Sequence, residues 1–251
     1  MRYVRIDEWL QLSGRVAIFD ESRVEASHNR LASTLSPQLE ALAASVDLIK
    51  KALLHQDVDR IDPKDHADYL AVSQLGFRVF NDVGAATKLL DCGYFVQAAS
   101  LLRDLSEIGM LALHFSVSPQ DVARWRSLDG RQQYDRFGPR ALRESLKLKF
   151  SDKLSYLDQR FRLFSNYGTH PSTTSIIAHH DGDRFHVGPH FNENIYINTY
   201  RDLADLAWHV TDACGDAYCA IFNTSVADIL PAETQRFQQA WNRIAPPKPK
   251  E

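Results

Sequence analysis

The sequence predicts a mainly α-helical bundle with one β-hairpin inserted before its last long helix. Three observations lead there. Cys92 to Phe115 reads as a helix apolar almost all round, with Val96, Ala99, Leu102, Leu105, Ile108, Leu111 and Phe115 among its members. Such a helix belongs at the centre of a bundle. Apolar residues recur by threes and fours in three further long stretches, near 31–53, 62–91 and 194–221. Ahead of the last of these, Asp181-Gly182 separates runs containing Ile and Val, a hairpin signal over about residues 174–191.

In chain order, residues 1–20 read as an N-terminal arm, a short helix or irregular, that Ile6, Trp9, Leu10 and Val16 can pack on the body. Leu31 to Leu53 forms one apolar face, and Ser36-Pro37 within it marks a kink or a break, because Ser caps and Pro suits a first helical turn. Asp62-Pro63 opens the next helix, which runs to about Asp91. Gly76 and Gly84 inside it suggest close helix contact. Gly93 breaks the chain before the central helix. Ser118-Pro119 opens a short helix that Gly130 can close, and Gly138-Pro139 opens another, ending near Phe150. Ser151 caps a helix through Phe164, and Gly168 suits its left-handed terminus. The last long helix starts near Asn194, and Pro231 to Ile244 forms a short one. The tail, 245–251, reads as disordered. No repeat or linker divides the chain, so residues 1–244 are expected to form a single helical domain.

Composition narrows the function classes. The 251 residues are 44% hydrophobic with net charge -3, which gives no general pull toward nucleic acid. No apolar run approaches the length of a bilayer span, so no membrane partner is expected. The charged N-terminus and three scattered cysteines point to a cytoplasmic protein with reduced thiols. From 122 to 153, nine Lys or Arg face four acids, a local excess of five that reads either as a solvated surface or as a phosphate partner's surface.

The central helix carries one polar strip: Ser100, Arg103, Asp104, Glu107 and His114. Helical spacing puts Arg103, Glu107 and His114 near one line. Charges there need partners or a wet cavity. Either they bond to neighbouring helix ends and fix packing, or they face a pocket with other polar groups. The best source of those groups is Ser165-Asn166-Tyr167-Gly168-Thr169-His170-Pro171-Ser172, where a helix stops. His170 titrates near neutral pH and can move a proton, and Asn166 can orient a ligand. The same residues also read simply as helix termination.

At these residues the chain resembles uncharacterised bacterial all-helical proteins related to the HEPN superfamily. The matching positions are Ala98-Ala99-Ser100-Leu101-Leu102-Arg103 with Glu107, and Phe164-Ser165 with His170-Pro171-Ser172. The resemblance covers roughly residues 65 to 215. It implies a HEPN-like helical bundle and a link to RNA cleavage or phage defence. The HEPN catalytic pattern places four to six residues between Arg and His. Here Arg162 and His170 have seven between them.

Five of ten histidines, His170, His179, His180, His186 and His190, lie between 170 and 190. A two-residue turn at Asp181-Gly182 would pair His180 with Asp183, His179 with Arg184 and His186 with Ile177. That pairing does not gather the roughly four ligands of a zinc site, so no metal is assigned. The hairpin is read as solvated, or as a flap over the His170 region. On the last long helix, Asp202, Asp205, His209, Asp212 and Asp216 form a stripe read as water-facing, with a divalent ion or self-association against the basic stretch as sharper alternatives.

The expected function is therefore RNA processing or defence, as a metal-independent ribonuclease. Arg103, Glu107, Asn166 and His170 would be catalytic, and Ser165, Tyr167, Ser172, His180 and His186 would bind ligand. No cofactor is expected; RNA and a second copy of the chain are the expected partners. The alternative is a non-catalytic helical module binding a protein partner or small ligand.

Overall fold

The computed structural model describes residues 21–54, 66–147, 151–169, 173–177, 179–181, 184–186 and 188–245. Its helices are α1 (Glu21–Asn29), a 3₁₀ turn (Ala32–Leu35), α2 (Ser36–Leu54), α3 (His66–Asp91) and α4 (Phe95–Val117). Then come α5 (Asp121–Ser127), α6 (Gly130–Phe137), α7 (Pro139–Leu146), α8 (Ser151–Phe164), a π turn (Ser165–Thr169) and α9 (Thr173–Ile177). After two short paired strands, α10 (Glu193–Phe222), α11 (Val226–Ile229) and α12 (Pro231–Ile244) complete the order. The N-terminal arm and the last six tail residues lie outside the described residues, as do Asp62-Pro63, His170 and Ser172.

The near-uniform apolarity of α4 is answered by its surroundings. It packs against α10, α3 and α8, and Leu102, Leu105, Met110, Leu113 and Phe115 are fully buried. A substituent at Gly109 would meet Leu157 of α8 and Val210 of α10 at 3.0 and 3.1 Å, so the small residue lets both helices close on α4. Gly93 makes the bend from α3 into α4 at φ +83°, and a Cβ there would lie 2.4 Å from the carbonyl oxygen of His190. That combination of handedness and crowding admits only glycine.

Ser36-Pro37 proves to be a break: the 3₁₀ turn ends there and α2 begins. Gly130 does not close α5. It opens α6, whose cap is Asp129 accepting from the amide of Gln132 at 2.9 Å. Pro139 begins α7 as expected, but that helix stops at Leu146 rather than near Phe150. A Cβ on Gly84 would touch nothing, so close contact holds at Gly76, against Leu53, and not at Gly84.

Gly168 is not a left-handed terminus either. It lies in the π turn that extends α8, pressed on α4, where a Cβ would stand 2.5 Å from the amide nitrogen of Ser100. The Ser100 hydroxyl donates to the Gly168 carbonyl at 2.6 Å. The glycine serves close backbone approach, and the wider turn carries its carbonyl to α4.

Among the described residues, a hairpin of the length expected over about 174–191 is not found. Thr173–Ile177 is helical, and the pairing seen is the two-residue His180–Asp181 against Arg184–Phe185. The register also differs. His180 faces Phe185 and Asp181 faces Arg184, so the connection is residues 182–183 rather than 181–182. The His186 amide then donates to the His179 carbonyl at 2.8 Å, and His186 has no pairing with Ile177.

Candidate functional site

The charged strip of α4 opens beside α3, with α8 on its other flank. Arg103 lies 3.4 Å from Glu107, and the two side chains are 28% and 29% exposed. The Arg103 guanidinium also sits 4.8 Å above the Phe161 ring of α8, which helps orient it. One step round the helix, Asp104 receives two hydrogen bonds from Arg78 of α3, at 2.6 and 2.7 Å. This fork is a well-formed charge-assisted pair. Arg78, Asp104 and Glu107, with Trp125, Gln133 and Tyr134, are among the walls of a cleft of about 230 Å³, and Arg103 reaches it through its pairing with Glu107.

Asp82 of α3 faces Asp104. Burial, then the hydrogen bond and charge of Asp104, push its carboxyl up to about 7 against the opposing pull of Arg78. As a carboxylate, its buried Oδ2 has no donor. Facing another carboxylate, that oxygen is satisfied only by keeping its proton and donating it to Asp104. The Glu107 carboxyl is raised too, chiefly by burial, with Arg103 pulling it back. The facing stretches of α3 and α4 beside the cleft therefore carry one neutralised pair, one proton-sharing pair and one partly exposed ion pair.

His114, placed on the same strip by spacing, does not reach this cleft. It is buried at 8% exposure, with Nε2 at 2.9 Å from Asp121 and Nδ1 at 3.1 Å from Ser145. The chain folds α5 to α7 over that end of α4, and His114 ties them to it.

Of the residues past α8, Asn166 is exposed and Tyr167 packs half-buried on the core. Ser165 is buried, its hydroxyl donating to the Phe161 carbonyl at 2.7 Å. His170 and Ser172 lie outside the described residues, so their meeting with Arg103 rests on sequence. The side chain of His180 is likewise outside the description.

The changed register gathers histidines that the sequence reading kept apart. His186 stacks on His190 with ring centroids 4.6 Å apart, and His179 lies 6.2 Å from His190. Beside them His28, fully buried, stacks on Tyr196 at 4.1 Å with Nδ1 2.9 Å from the Asp91 carbonyl. Burial lowers its pKa. Tyr196 and Tyr200 both donate to Asp91 Oδ1 at 3.1 Å. Nothing in the local sequence around His28 signalled this burial, because its helix is polar and its partners lie far along the chain. Among the described residues no three His, Cys, Asp or Glu side chains are grouped to hold a metal ion.

The acidic stripe of α10 faces α8, not water. Arg160 pairs with Asp202 at 2.7 Å, and Lys153 bridges Asp212 and Asp216 at 2.8 and 2.9 Å. His209 lies between them against Tyr156, its pKa lowered to about 4 by burial and by the nearby Lys153 and Arg160 charges. The basic stretch thus meets acids of its own chain: besides Lys153, Arg126 pairs with Asp68 at 2.8 Å and Arg143 with Asp158 at 2.7 Å.

Among the described residues no helix is long and apolar enough to cross a membrane. No family model, curated protein or solved structure matches the chain.

Proposed function

We propose that the chain is a HEPN-like RNA-processing protein and that the cleft over α4 cleaves RNA without a metal ion. One observation carries the reading: a partly exposed Arg–Glu pair, 3.4 Å apart, whose carboxyl is raised by burial. A carboxylate so raised is a better base near neutral pH than a solvated one. Its neighbours are already compensated, because Arg78 holds Asp104 and Asp82 retains a proton up to about pH 7. When Glu107 takes a proton, the Arg103 charge loses its partner and becomes available to phosphate oxygens.

In the proposed step Glu107 removes the proton from a ribose 2′-hydroxyl. That oxygen attacks phosphorus, the bond from phosphorus to the 5′-oxygen breaks, and the leaving oxygen takes a proton from a general acid. The products are a 2′,3′-cyclic phosphate and a free 5′-hydroxyl. The sequence offers His170 as the acid. Asn166, exposed five residues beyond the Phe161 ring that supports Arg103, is the candidate for orienting the strand.

The test is cleavage of a panel of single-stranded and structured RNAs in the presence of a chelator, with the end groups of the products identified. Glu107→Gln and His170→Ala should each slow cleavage by about a hundredfold or more. Absence of cleavage of every RNA by the wild type, or unchanged rates in both variants, would defeat the proposal. A second reading, a non-catalytic module, draws on the Arg78–Asp104 fork, which joins α3 to α4 and fixes their register with no substrate present. Under that reading Arg78→Ala loosens the bundle and no RNA is cut.

A further inference from the structure

A second cavity lies away from the charged cleft, between α2, α3, α10 and α12. Its volume is about 250 Å³, and Ile49, Leu53, Val72, Gly76, Gly215 and Phe237 are among its walls. A cavity of about 150 Å³ is known to accept benzene, so this one has room for roughly nine or ten heavy atoms.

Gly215 explains why the space is open. It lies inside the 30-residue α10, where glycine weakens a helix. No tight packing requires it, since an added Cβ would meet only Val226, at 4.0 Å. Its backbone is not left-handed. What its missing side chain provides is room in the cavity.

The polar groups of the wall choose among ligands. Among the described residues, the charged side chains lining it are Asp212 and Asp216. Lys153, which is not part of the lining, bridges both, so the trio keeps one net negative charge. The Thr234 hydroxyl, also in the wall, is buried and has no hydrogen-bond partner among the described residues. It can accept from, or donate to, a polar group that enters the cavity, so the choice of charge rests on the two aspartates. An apolar body with an ammonium head satisfies all three features, whereas an anionic head would meet uncompensated negative charge.

We propose that this pocket binds a small apolar amine. The proposal is independent of RNA cleavage. Octylamine, octanol and octanoate serve as probes of equal chain length, with binding followed by calorimetry and thermal denaturation. Octylamine should saturate one site and bind about tenfold or more tightly than octanoate, with octanol between them. Gly215→Leu should fold with a melting temperature at least equal to the wild type and lose octylamine binding, because its side chain fills the cavity. Asp216→Asn should narrow the gap between octylamine and octanol. Octanoate or octanol binding as tightly as octylamine, undiminished octylamine binding by folded Gly215→Leu, or no binding of any probe would each overturn it.

Discussion

Replacing Asp82 by asparagine tests the proton shared with Asp104. The Asp82 carboxyl stands at about 7 in the folded chain against 3.8 for an unperturbed one, with burial the leading cause. Because its folded value is raised, the native state holds a proton that the unfolded chain releases between pH 4 and 7. The contribution of Asp82 to stability should therefore be full below about pH 4 and be lost as pH rises through 7. Moving the carboxyl from 3.8 to about 7 corresponds to at most roughly 4 kcal/mol. The side chain is only half-buried, so solvent screening brings the expected loss to roughly 1–2 kcal/mol. Asparagine presents a permanent N–H to Asp104 and carries no charge. Asp82→Asn should thus match the wild type near pH 4.5 and exceed it by roughly 1–2 kcal/mol at pH 8. Urea unfolding at these two pH values measures the difference, and carbon NMR titration of the side-chain carboxyl locates the pKa. Equal stability differences at both pH values, or a carboxyl that titrates near 4, would refute the shared proton.

His209 should give the opposite pH dependence. Its folded pKa is lowered to about 4, so the unfolded chain binds the proton first, and stability is lost as pH falls from about 6.5 to 4. His209→Gln should flatten that limb of the thermal-melting profile, and an imidazole titrating at 6.5 in the native NMR spectrum would contradict the burial argument. Gly168→Ala drives a Cβ to 2.5 Å from the Ser100 amide and should cost about 1–3 kcal/mol in urea unfolding, whereas Ser100→Ala, losing one hydrogen bond, should cost about 1 kcal/mol. Equal stability of Gly168→Ala and the wild type would mean that the two backbones separate at little energetic cost.

The two glycines most misjudged from sequence show where local reasoning stops. Gly168 and Gly130 both follow helical patterns, and a helix end is the commonest reason for a glycine there. At Gly168 the reason is instead a backbone 68 residues earlier, at Ser100. The acidic stripe of α10 shows the same limit. Its composition resembles a solvated face, yet Lys153 and Arg160 come from α8, a separate helix far back in the chain, with Lys153 lying 59 and 63 residues from its two partners. The hairpin misreading is smaller in sequence and larger in effect. Moving the turn by one residue sets His179 against His186, because the partner of every residue depends on where the chain reverses.

Sequence alone determined what periodicity and composition control. The helical class, the burial of the 95–117 helix and the position of its charged strip follow from side chains that water excludes at helical spacing. Tertiary structure decided which charges stay within reach of solvent. Glu107 lines a cleft and Arg103 pairs with it partly exposed, His114 is sealed under α5 to α7, and Asp104 is neutralised by Arg78 of α3, although the four α4 residues looked alike as polar positions. The reason is that desolvation and pairing are set by whichever neighbouring helix arrives at each position, and that arrival is a long-range event that no local pattern records.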